Sequence, residues 1–211
     1  MKAFIFDLDG VIVFTDKFHY QAWKVIADKM GIYFDEEINN RLRGVSRMES
    51  LNIILEKYEG TLSLEQKEAL AEEKNELYKE LLNSMSPEAV TNEVRDTLKT
   101  LRRMGYKLAI GSSSKNAKFI LEKVQLMDYF DAISDGTNIK KSKPDPEVFL
   151  MAAEFLKEQP EDCFVVEDAS AGIDAAKAAG MTAIGIGEAS KYEKTDVPIA
   201  SFEELIQITQ L

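Results

Sequence analysis

A chain of 211 residues is long enough for one large domain, or for a domain carrying an insert. Its 45% hydrophobic and 30% charged residues are those of a globular protein, and no stretch approaches the ~20 apolar residues that cross a bilayer. A net charge of −11 argues against nucleic acid and anionic membrane as partners, and the single cysteine, Cys163, excludes an intrachain disulfide and suits a reducing cytoplasm.

The chain opens on a short apolar run, Phe4-Ile5-Phe6, which reads as a buried strand. It stops at Asp7-Leu8-Asp9-Gly10, so no secretory signal is expected. Acids at the end of such a strand lie where open α/β sheets bind ligands. Two neighbouring carboxylates repel, and a hard cation such as Mg²⁺ is the natural way to keep both ionised.

From Asp16 to Met85 the pattern is helical. Trp23, Ile26, Ala27 and Met30 share a face that ends at Gly31. Asp35 can cap a short helix, and Ser46 with Glu49 has capping-box spacing ahead of Leu51, Ile54, Leu55 and Tyr58. Ser63 can cap a long charged helix that buries Leu70, Leu77, Tyr78 and Leu81, and Ser86-Pro87 closes the block.

Beyond Asn92 helices and strands alternate. A helix over Val94, Leu98, Leu101 and Met104 precedes a strand at Tyr106–Ile110, followed by Gly111-Ser112-Ser113-Ser114-Lys115-Asn116 and a helix over Phe119–Val124. A short strand at Phe130–Ile133, the turn Ser142-Lys143-Pro144 and a helix over Val148–Leu156 come next. Phe164–Val166 is a strand ending at Glu167-Asp168. Ala171–Ala179 is a helix, Thr182–Ile186 a strand and Phe202–Ile208 a last helix. This order implies a Rossmann-like parallel sheet interrupted after its first strand by a helical cap. We expect an α/β core over 1–15 and 87–211 and a cap, or lid, over 16–86.

The serine-rich loop suits a phosphate, with hydroxyls and N–H groups at a helix start, and would serve equally as an N-cap. Glu167-Asp168 forms a second acidic pair at a buried strand end.

Taken together, the Asp7-x-Asp9 strand end, the Ser112 strand end, the Lys143-Pro144 turn and the Glu167-Asp168 strand end resemble the haloacid dehalogenase superfamily of phosphoryl-transfer enzymes. That resemblance implies Asp7 as nucleophile and Asp9 as general acid/base. Asp7, the Asp9 carbonyl, Glu167 and Asp168 would hold Mg²⁺, and Ser112 and Lys143 the transferring phosphoryl group. Thr15 to Trp23, Arg41 to Arg47, Lys74-Asn75 and Ser114 to Asn116 are similar to the hexose-phosphate mutases of that superfamily. By this likeness Arg47, Ser114 and Asn116 would grip a second phosphate, and Gly44, Val45 and Lys115 would contact substrate. Trp23 would lie in the lid helix or touch substrate. His19, with Thr15 and Lys74, would orient Asp9 or simply pack as a half-buried histidine. Phe14 departs from the pattern, standing where an acid is usual, as do Met48, Ser113 and Ala169. The implied reaction interconverts β-glucose 1-phosphate and glucose 6-phosphate through a bisphosphate. Hydrolysis of a small sugar phosphate is the alternative, and a cytoplasmic monomer is expected.

Overall fold

The computed structural model describes residues 3–208; residues 1, 2 and 209–211, which the expected core boundaries take in, lie outside them. Six strands form one parallel sheet in the order β3-β2-β1-β4-β5-β6. They are β1 (Ala3–Phe6), β2 (Lys107–Gly111), β3 (Ala132–Ser134), β4 (Cys163–Glu167), β5 (Thr182–Gly185) and β6 (Val197–Pro198).

Strand β1 lies at the centre, and its alternation divides the core. Phe4 and Phe6 face one layer with Leu98 and Leu101 of α5 (Asn92–Arg103), Ile120 and Leu121 of α6 (Ala117–Lys123) and Leu205 of α9 (Leu205–Ile208). Ala3 and Ile5 face the other layer, with Val148 and Phe149 of α7 (Glu147–Leu156) and Ile173 and Ala176 of α8 (Ser170–Ala178). A strand buried on both faces has no polar alternation, which is why it reads as a continuous apolar run. Cys163 is buried in the second layer.

Four helices, α1 (Asp16–Lys29), α2 (Glu36–Asn40), α3 (Arg47–Ile54) and α4 (Leu64–Leu82), fall between β1 and α5. They have a cluster of their own, with Trp23, Ile26, Phe34, Leu51, Ile54 and Leu70 packed together. Asp35 and Ser46 accept the capping N–H groups of Ile38 and Glu49, and Ser63 closes a full capping box with Gln66. Among the described residues no helix is long and apolar enough to cross a membrane.

Some expectations shift. The strands expected at Tyr106–Ile110 and Phe130–Ile133 run Lys107–Gly111 and Ala132–Ser134. Met104 follows the last turn of α5 and is 44% exposed, so it is not core. On α4 the buried leucines are Leu70 and Leu82, with Leu77 and Leu81 only half-buried, and the same face buries Lys74 and Asn75. The stripe is apolar at its ends and polar between them, at Lys74 and Asn75. The last helix opens as a 3₁₀ turn, Phe202–Glu204, before α9. Strand β6 was not expected, because two residues at a sheet edge, one of them proline, carry no periodic signal.

Candidate active site

The parallel register sets three strand ends side by side, since Phe6 pairs with both Ile110 and Val166. Asp7, Ser112 and Glu167 therefore emerge together at the carboxyl edge of the sheet. The ladder continues one step further, with Asp7 N–H donating to Val166 C=O at 3.0 Å. Lys143 reaches the same point from the turn before α7. Its buried ammonium donates to Asp7 Oδ1 at 2.5 Å and to Glu167, and it lies 4.8 Å from the centre of the Phe149 ring. Glu167 also accepts the N–H groups of Asp168 and Ala169 at 3.1 and 3.2 Å.

Two glycines make room for the acids. A Cβ on Gly10, whose φ is +93°, would fall 2.1 Å from Asp168 Oδ2. One on Gly172 would fall 2.0 Å from Glu167 Oε1. Asp7, Glu167 and Asp168 each bring a carboxylate oxygen within 4.8 Å of the others. Burial and mutual repulsion push Glu167 and Asp168 above the usual carboxylate range, with Lys143 opposing the rise. Three carboxylates against one buried lysine leave negative charge uncompensated, and an all-oxygen donor set of this kind fits a hard divalent cation such as Mg²⁺.

Asp9 stands beside this cluster within a chain of hydroxyls. Tyr78 donates to Thr15 at 3.1 Å, and Thr15 donates to Asp9 Oδ1. Burial lifts the Asp9 pKa to about 7 against the pull of Thr15, and Asp7 adds to the rise. Above it, Lys74 meets His19 Nδ1 at 2.8 Å and lies over the rings of Tyr78 and Trp23 at 4.3 and 5.1 Å. Burial, with Arg47 nearby, brings Lys74 down to about 7. Burial, then the nearby Lys74 and Arg47, hold His19 well below its ordinary value.

A third group lies where α3 and α4 face the loop after β2. Ser112 Oγ accepts the Ser114 N–H, and Ser114 Oγ accepts the Asn116 N–H, at 3.2 and 3.1 Å. Arg47 pairs with Glu72 at 3.1 Å and donates to Asn75 Oδ1 at 2.8 Å, and Asn116 donates to the same oxygen at 3.0 Å. Arg43 pairs with Asp16 and approaches Asp168 at 3.5 Å.

All three groups open on one cavity of about 530 Å³ between sheet and helices, large enough for a small metabolite. Asp7, Asp9, Ser112, Lys143, Glu167 and Asp168 line one side of it. Gly44, Val45, Arg47, Ser114, Lys115 and Asn116 line another, and Trp23, His19 and Lys74 the roof. The structure thus brings the expected catalytic, metal and substrate residues to one space, with Thr15 buried between Asp9 and Tyr78 outside the lining. Phe14 lies outside the lining, 66% exposed, whereas Met48 is part of it. Three participants escaped the sequence. Tyr78 reads only as an apolar helix position, and Arg43 and Asn75 fall within stretches similar to the mutases but carry no role of their own there. The Lys74-Asn75 pair on an otherwise buried stripe was the available signal.

The haloacid dehalogenase-like hydrolase family model matches residues 1–180. The chain is 42% identical to the β-phosphoglucomutase of Bacillus subtilis over 97% of its own length and 92% of that protein. It is 35% identical to a phosphorylated carbohydrates phosphatase of Thermotoga maritima, over 87% and 84% of the two chains. The crystal structure of β-phosphoglucomutase from Clostridium difficile superposes with a TM-score of 0.92 at 40% identity, covering 100% of this chain and 96% of that one. With its acids gathered at the carboxyl edge of a parallel sheet beneath four helices, the chain belongs to the haloacid dehalogenase-like hydrolase family and lies close to its β-phosphoglucomutases.

Proposed function

We propose that the protein is a Mg²⁺-dependent mutase that interconverts β-glucose 1-phosphate and glucose 6-phosphate. One observation carries the proposal: a single cavity has two separate donor groups, Lys143 with the acids at one end and Arg47 with Asn116 at the other. A hydrolase of small esters needs only the first. A sugar bisphosphate that must bind in either orientation uses both. The 42% identity to a mutase supports the same reading. The 35% identity to a phosphatase keeps hydrolysis as the second reading, because both reactions use the same core residues.

In this mechanism Asp7, carrying a phosphoryl group, donates it to the C6 hydroxyl of β-glucose 1-phosphate. Asp9 takes the hydroxyl proton, and the acyl-phosphate bond breaks as the new P–O bond forms. The bisphosphate then turns end for end. The Asp7 carboxylate attacks the phosphorus at C1, the P–O bond to C1 breaks, and Asp9 returns its proton to the departing oxygen. A carboxyl with a pKa of about 7 is matched to both halves, because neither protonation state is scarce at neutral pH.

Lys143 and Ser112 hold the equatorial oxygens and cancel charge at the transferring group. Asp7, the Asp9 carbonyl and Asp168 would ligate Mg²⁺, with Glu167 as a further ligand or as the acid that orients Lys143. When bound, the ion neutralises the acids and the phosphoryl oxygens they face. Arg47, Ser114 and Asn116 hold the other phosphate, Gly44, Val45, Lys115 and Trp23 border the sugar, and His19 and Lys74 orient Asp9. Residues 16–86 act as a cap over a core made of 1–15 and 87–211, excluding water from the acyl phosphate. We place the enzyme in the cytoplasm as a monomer acting on a free sugar phosphate.

The test is ³¹P NMR of purified protein with β-glucose 1-phosphate, Mg²⁺ and a trace of β-glucose 1,6-bisphosphate. Glucose 6-phosphate should accumulate. Inorganic phosphate in its place, one per substrate consumed, selects the phosphatase.

A further inference from the structure

Asn75 is 5% exposed and sits on α4 behind the residues that line the cavity. Its Oδ1 accepts from Arg47 Nη2 at 2.8 Å and from Asn116 Nδ2 at 3.0 Å, and its own Nδ2 donates to Glu72 Oε1 at 3.2 Å. The amide has one permitted orientation. A guanidinium only donates and a carboxylate only accepts, so Arg47 and Glu72 both require the oxygen to face Arg47. Glu72 closes the ring by pairing with Arg47 Nη1 at 3.1 Å.

A single carbonyl oxygen therefore gathers one N–H from the helical layer and one from Asn116, the residue that opens α6. Arg47 has five N–H donors and the Asn116 amide two, so each keeps N–H groups for another acceptor. We propose that Asn75 is a positioning residue that ties α4 to the start of α6 and aims the spare donors of Arg47 and Asn116 at one anion, so that the far phosphate of the substrate holds the cap shut. The proposal rests on the mutase assignment and adds what keeps its two distal donors converged. Asn75 does this without touching substrate, and its loss weakens binding of the closed form more than it weakens chemistry.

A double-mutant cycle on Asn75→Ala and Asn116→Ala tests it, reading kcat with saturating β-glucose 1-phosphate and Mg²⁺ and the KM for β-glucose 1,6-bisphosphate as the phosphoryl donor, and checking the fold of each variant by thermal melting. Removing one hydrogen bond to a charged or buried partner should raise KM about ten-fold in each single variant, with kcat changed much less. The KM of the double variant should fall clearly short of the product of the two single effects, because both variants remove the same Asn75–Asn116 link while Asn75 still holds Arg47 when Asn116 is gone. KM effects that multiply, or a loss confined to kcat, overturn the proposal. If Asn75→Ala does not fold, Asn75→Ser, whose hydroxyl is too short to span both donors, goes through the same cycle. KM is followed by phosphate release as well as by isomerisation. A wild-type enzyme that only hydrolyses therefore refutes the mutase while the coupling between Asn75 and Asn116 is still read.

Discussion

The buried lysine at the strand ends gives the sharpest stability prediction. Lys143→Met keeps most of the aliphatic stem against Phe149 and removes only the charge that joins Asp7 to Glu167. Lys143 and Glu167 have side chains 1% exposed, so the pair is screened very little. Removing one partner of such a pair costs about 3–5 kcal/mol, because the other charge stays buried and unpaired. For a chain of this size each kcal/mol moves Tm by roughly 2–4 °C, giving a loss of about 6–20 °C. The deficit should depend on pH. Burial already lifts the Glu167 pKa and Lys143 holds it down, so the variant's Glu167 rises further. A carboxyl whose folded pKa exceeds its unfolded value binds a proton more tightly when folded. Stability therefore falls as pH rises from the unfolded value, about 4.3, through the raised one. The lysine, raised in the folded state by Asp7 and Glu167, loses its contribution only in alkaline solution, outside this window. The assay is Tm in EDTA at about pH 5 and pH 8: the deficit should be large at pH 8 and shrink at pH 5, and Mg²⁺ should restore part of it at pH 8. A variant that melts with wild type at pH 8, or whose deficit is the same at both pH values, refutes the reasoning.

Asp7→Asn and Asp9→Asn should each lower turnover by at least 10²–10⁴-fold, the scale of positioned acid–base and nucleophilic groups, without shifting the circular dichroism spectrum. A variant near the wild-type rate sinks the proposed roles. Arg47→Ala should reduce kcat/KM for β-glucose 1-phosphate on the order of 10–100-fold, the worth of a charged hydrogen bond, and reduce hydrolysis of p-nitrophenyl phosphate far less. Equal losses argue against a second phosphate site. Thr15→Val removes the hydroxyl that lowers the Asp9 pKa, so Asp9 ionises at higher pH and the ascending limb of the pH–rate profile should move upward. An unmoved or downward limb contradicts the assignment of Asp9.

How much was legible in the sequence follows from which links are local. Asp7, Ser112 and Glu167 each end an apolar strand run, and a parallel sheet brings such ends together whatever the loops do. Lys143 was legible because a proline turn sits at the start of α7. The helical layer was legible as helices, since Trp23, Ile26 and Ala27 repeat at helical spacing. Its active face, with His19, Gly44, Val45, Arg47 and Lys74, was legible only through resemblance, and the contacts across it were not legible at all. Tyr78 keeps the apolar period of α4 while its hydroxyl reaches Thr15, 63 residues away. Asn75 and Asn116 are 41 residues apart and meet only where two layers pack together. Arg43 reaches Asp168 for the same reason. Contacts of that kind depend on how layers pack, which residue spacing does not encode.

The central claim is that the phosphoryl group leaves Asp7 for a sugar hydroxyl and not for water. Running the reaction in H₂¹⁸O with β-glucose 1-phosphate, Mg²⁺ and a trace of bisphosphate tests it directly. The account predicts glucose 6-phosphate whose phosphate carries no solvent oxygen. Inorganic phosphate labelled with ¹⁸O, formed as fast as substrate disappears, contradicts it.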